Sequence, residues 1–163
     1  MKNTGVYFGM FTALALIFSY VESLIPFHIG IPGVKLGLAN LVIVVAMYKM
    51  EKRQVYLLAI TRVVLAGFMF GNLFSIVYSL AGSLLSLTVM YELKKSEKFS
   101  VLGISVAGGV FHNIGQLIVA MIVLESLNLV YYAAVLLISG LVTGIIIGIV
   151  SGEVIKRMEK IQL

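Results

Sequence analysis

The sequence predicts an all-α integral membrane protein: a bundle of six transmembrane helices with both termini cytoplasmic. Three observations carry this. The 163 residues are 61% hydrophobic and only 12% charged, with a mean hydropathy of +1.10; soluble domains lie nearer half apolar and a quarter charged. The apolar residues gather in segments about as long as a bilayer is thick. The basic residues fall between those segments in the alternation that the positive-inside rule demands.

The first segment, 5–24, follows Lys2 in MKNTGVYFGMFTALALIFSY. A lysine ahead of an apolar run resembles a signal peptide. The run has span length, however, and further spans follow, so it is read as a helix that stays. SLIPFHIGIPG breaks the chain next. It holds Pro26 and Pro32, the two prolines of the chain, which stop one helix and let another start. The second segment, 33–49, ends at KMEKR. The third, 54–71, and the fourth, 73–91, meet at the tight turn FGNLF. ELKKSEKF leads into the fifth, 101–124, and ESLNL into the sixth, 129–153. One membrane domain over 1–163 leaves no room for a soluble one.

With the N-terminus in the cytoplasm, the inner segments carry Lys2; Lys49, Lys52 and Arg53; Lys94, Lys95 and Lys98; and Lys156, Arg157 and Lys160. Only Lys35, at the outer edge of a helix, and Arg62, in mid-span, stand apart. The net charge of +5 therefore marks orientation. It does not point to nucleic acid, whose binding would need aromatic residues interleaved with the charges. Tyr7, Tyr48, Tyr56 and Tyr91 fall near inner boundaries, and Tyr20, Tyr131 and Tyr132 near outer ones, at the headgroup level tyrosine favours.

Much chemistry is excluded. Without cysteine there is no disulfide or thiolate metal site. The seven acids are all glutamate, so an aspartyl protease and an Asp-rich diphosphate-binding motif are both ruled out. No Walker loop, HExxH helix or GxSxG elbow is present. The chain is not expected to be an enzyme or to hold a cofactor or metal.

What remains is packing and polarity. Gly5, Gly9 and Ala13 recur every four residues in the first span, and Gly140, Gly144, Gly148 and Gly152 in the sixth. Such ladders let backbones approach closely in lipid, within one bundle or against another subunit. Polar groups inside spans are costly and mark sites. Arg62 lies in AITRVVLAGF, and His112, Asn113 and Gln116 lie in GGVFHNIGQLIVA, His112 and Gln116 on one face. Lys35 and Asn40 lie in IPGVKLGLAN, where Gly33 and Gly37 strip bulk from around the lysine. Each has a plainer alternative: a snorkelling lysine, an arginine clamping carbonyls, a satisfied core histidine. Together they give the bundle a basic, hydrogen-bonding interior, suited to a ligand with an anionic or polar head and an apolar or ring-like body.

IPGVKLGLANLV, TRVVLAGFMFGNLFSIVYSLAGSLLSL and GGVFHNIGQLIVA resemble the bacterial Gx transporter family, also labelled heptaprenyl diphosphate synthase component I. That family is similar in turn to the substrate-binding S components of energy-coupling-factor (ECF) vitamin transporters. The resemblance covers about residues 10 to 150. It implies a multi-pass protein of the bacterial plasma membrane that binds a small molecule in its outer half, under the loop joining the first two spans. It also implies a separate ECF coupling T subunit and cytoplasmic ATPases as partners. In S components a pair of small residues on the first span, typically alanines, faces the coupling subunit; here that face reads Gly9, Ala13 and then Ile17. The expected ligand-binding residues are Lys35, Asn40, Arg62, His112, Asn113 and Gln116, with residues 22–33 gating entry. Two other readings stay open. One is a non-catalytic membrane accessory subunit of isoprenoid or quinone biosynthesis; the other is a standalone transporter or channel.

Overall fold

The computed structural model describes residues 4–25 and 37–160, and among these every regular element is helical. α1 runs Thr4–Leu24, α2 Leu38–Lys49, α3 Lys52–Phe70, α4 Leu73–Lys95 and α5 Val101–Val123. A short 3-10 turn, Leu127–Tyr132, leads into α6, Ala133–Lys160. Five helices, all but α2, are long and apolar enough to cross a membrane. α2 is the exception. A span over 33–49 is expected, but the described helix begins at Leu38 and is 12 residues long. Residues 33–36 lie outside the described residues. α4 also runs past its expected end at residue 91, because Glu92, Lys94 and Lys95 continue the helix where an apolar criterion stops.

The turns explain the boundaries. Glu51 and Gln54 form a capping box that starts α3 directly after α2. Asn72 and Ser75 do the same for α4, so only Gly71 and Asn72 separate it from α3. The N–H of Gly37, at φ 72°, donates to Glu22 Oε1 at 2.6 Å. A left-handed residue is needed there, and glycine supplies it without strain.

Helices α2 to α6 form a closed ring, each packing on the next and α6 returning to α2, while α1 lies outside against α2 and α3. The neighbours α3/α4, α4/α5 and α5/α6 are antiparallel. Tyr56 Oη meets Thr88 Oγ1, Ser86 Oγ donates to the Gly108 carbonyl, and Asn113 Nδ2 donates to the Leu136 carbonyl. This alternation gathers Lys49, Lys52, Arg53, Lys94 and Lys95 at one end of the bundle. There Tyr56 and Tyr91 stack at 5.8 Å with Lys52 over both rings. Lys94 Nζ donates to the Met47 carbonyl at 2.6 Å and lies over the Tyr48 ring, closing the last turn of α2.

The surface is unlike that of a soluble fold, and polar groups join the hydrophobic core in the interior. Val6, Phe68, Ile122, Ile138 and Ile146 stand exposed on the outside, whereas Ser83, Ser86, Ser105, Asn113 and Ser151 are buried. In lipid an apolar exterior costs nothing, and cohesion comes from close backbones and interhelical hydrogen bonds.

The two small-residue ladders separate here. A methyl group at Gly140 would lie 2.6 Å from the Gly109 carbonyl oxygen, one at Gly144 2.7 Å from Val106 Cα, and one at Gly148 2.9 Å from Leu102 Cα. The α6 ladder is therefore consumed by α5 for three of its rungs. Gly5, Gly9 and Gly152 have nothing within 4 Å of such a methyl.

Candidate functional site

Within the ring lies a cavity of about 350 Å³, in the range that holds small-molecule ligands. Its polar lining includes Glu22 from α1, Asn40 from α2, Arg62 from α3 and His112, Asn113 and Gln116 from α5. Five of the six expected ligand residues thus share one space; the sixth, Lys35, lies outside the described residues, as does most of the expected gating loop.

The register of the helices explains the convergence. Gly82 of α4 has no side chain, so His112 of α5 comes against it: a methyl there would meet the His112 carbonyl at 2.6 Å and Gln116 Cγ at 2.9 Å. Gly67 of α3 similarly admits Ile76 of α4, which draws α3 onto α4 two turns away. Arg62 therefore faces the same level of the bundle as Gly82, Ser83 and His112. Its Nη2 donates to Asn40 Oδ1 at 3.1 Å across the cavity wall, tying α3 to α2. Its Nε is buried with no hydrogen-bond partner among the described residues.

The lining groups divide by what they already hold. Asn113 is 8% exposed, and its Nδ2 lies 2.6 Å from the Leu136 carbonyl, so its amide locks α5 to α6. Ser86 donates to the Gly108 carbonyl and Ser105 to that of Gly144. Thr143 turns back on its own helix, to Ser139. Glu22 gives one oxygen to the Gly37 amide. Ser83, by contrast, is 6% exposed and its hydroxyl has no partner among the described residues. Ile43, Val44, Leu87, Met90 and Ile147 supply the apolar walls.

One feature of the lining has no counterpart among the expected site residues. Ser75, Ser79, Ser83 and Ser86 of α4 all face the cavity. Their signal is present in FSIVYSLAGSLLSL as the same four-residue spacing that marks the glycine ladders, with one three-residue step.

The expected docking residues are elsewhere. Gly9 and Ala13 are exposed on the outer face of α1, beside Met10, Leu14 and Ile17, while Phe11 and Ala15 bury the opposite face in the bundle.

A family model described as heptaprenyl diphosphate synthase component I matches residues 11–154, and the chain belongs to that family. No curated protein matches the chain, and no solved structure does.

Proposed function

We propose that this member of the heptaprenyl diphosphate synthase component I family is a membrane-embedded substrate-binding subunit of an energy-coupling-factor-type importer. Its cargo would be a vitamin-like or cofactor-precursor small molecule. The observation that supports this most is the cavity itself: a ligand-sized space inside an apolar-surfaced bundle, walled by Asn40, Arg62, His112 and Gln116. A guanidinium in a span must find carbonyls, a carboxylate, water or a ligand. An accommodating space beside it favours the last. Arg62 would supply charge, Asn40 and Gln116 hydrogen bonds, and His112 either, according to its protonation. Asn113 would organise the wall, and Lys35 would act at the entrance.

In this reading the chain is not an enzyme. It lies in the bacterial plasma membrane with both ends cytoplasmic, and cytoplasmic ATPases drive it through a coupling T subunit. Gly9 and Ala13, open on the outer face of α1, would be the docking surface. The test is native mass spectrometry of the detergent-purified protein. The expected result is a retained small molecule that is lost in the Arg62→Leu, His112→Gln variant while membrane insertion persists. Equal retention by both proteins would refute the site.

The family description supports a second reading, a non-catalytic membrane accessory subunit of heptaprenyl diphosphate biosynthesis. Copurification separates the two: ATPases and a coupling protein in one case, a soluble synthase in the other.

A further inference from the structure

The wall of α4 bears on which molecules the cavity accepts. Arg62 keeps its proton inside proteins. Among the described residues no carboxylate lies within 4 Å of it; the ion pair found there is Arg157 with Glu153, at the surface. Glu22, the acid in the cavity lining, has one oxygen on the Gly37 amide. Glu22 lends the guanidinium some counter-charge from the same lining, yet the arginine Nε has no hydrogen-bond partner among the described residues, so the guanidinium has a donor to spare for an acceptor from outside the described chain. At the same level of the bundle, Ser83 has a buried hydroxyl with no partner among the described residues, and Ser79 lines the cavity one turn away. A second, independent group thus wants a hydrogen-bond partner in the same space. A hydroxyl can donate, and a guanidinium only donates. An acceptor-rich anion satisfies both.

We propose that Arg62, Ser79 and Ser83 form an anion subsite, so that the ligand is a small organic anion. Its carboxylate or phosphate lies against α3 and α4, and its less polar part lies along Ile43, Val44 and Ile147. Ser83 is then a specificity-determining residue for the anionic end. This rests on the ligand-binding reading above and narrows it.

The chain has no cysteine, so Ser79→Cys and Ser83→Cys each create a single reactive thiol. Each is labelled in neutral detergent, where no anionic lipid headgroup competes. The probes are 2-sulfonatoethyl methanethiosulfonate, 2-(trimethylammonio)ethyl methanethiosulfonate and neutral methyl methanethiosulfonate. Rates are normalised to those of an exposed Asn128→Cys thiol. The sulfonate reagent is expected to outpace the cationic one at least tenfold at both sites. That preference should grow with Glu22→Gln and collapse toward parity with Arg62→Gln. If the Arg62 variant does not fold, the Glu22 variant still gives a signed result. Entry of the neutral reagent with equal rates for the two charged ones, or with cation preference, overturns the anion subsite and leaves the ligand-binding reading standing. Exclusion of all three reagents overturns both.

Discussion

α1 and α6 carry small residues at the same spacing and meet opposite fates. On α6, Gly140, Gly144 and Gly148 vanish into contact with the backbone of α5. On α1, Gly5 and Gly9 face open space. The spacing alone creates a smooth stripe. Whether the stripe is used inside the bundle depends on what the facing helix offers. α5 offers Gly109 opposite Gly140, and Ser105, whose hydroxyl reaches the Gly144 carbonyl at 2.9 Å. α1 instead turns Phe11 and Ala15 toward the bundle, leaving its glycines on the far side.

The contrast is sharpest at Gly140. Gly140→Leu would drive its side chain into the Gly109 carbonyl, a backbone atom that cannot rotate away. The expected cost is about 3 kcal/mol or more, read as a collapse of the thermal unfolding midpoint in detergent. A midpoint near that of the parent would mean that α5 and α6 are not in backbone contact. The polar locks beside the ladder come next. Asn113→Ala and Ser105→Ala should each cost about 0.6–1.7 kcal/mol, the range of interhelical hydrogen bonds in lipid; unchanged midpoints would leave the glycines as the sole cement of this interface. On α1 the sign reverses. Gly9→Ala meets nothing within 4 Å and should raise stability by about 0.5–1 kcal/mol through helix propensity alone. A destabilised variant would place an unseen contact on that face and break the comparison.

Much of the site was legible because the bilayer leaves polar side chains few choices. Arg62, His112 and Gln116 cannot face hydrocarbon, so their convergence follows from their position in apolar runs. Asn40 was legible for the same reason. The serines of α4 were not, because a hydroxyl in a helix can satisfy itself on the carbonyl a turn back. Thr12, Ser19, Thr88 and Thr143 do this with Phe8, Ala15, Leu84 and Ser139. A serine therefore carries no obligation to point inward, and only the packing singles out Ser83. The span limits were legible to within a few residues where a capping pair or a glycine marks the turn, as at Asn72. They drifted at α4 and at α6, which is expected to end at 153 and runs to Lys160, because charged turns extend a helix beyond its apolar stretch. The described start of α2 at Leu38 was beyond a hydropathy reading, which averages Lys35 into the apolar residues around it.

α2 is also held unevenly. Its far end is fastened by Lys94 to the Met47 carbonyl and followed at once by the capped start of α3. At its near end the side-chain bonds among the described residues are Glu22 to Gly37 and Arg62 to Asn40. A short rod fastened more firmly at one end moves most at the other. Asn40 stands seven residues from Met47, about 10 Å along the axis. Rocking α2 by about 10° would thus carry Asn40 by about 2 Å, enough to part it from the arginine. The polar wall of the cavity is as steady as the lever that bears it.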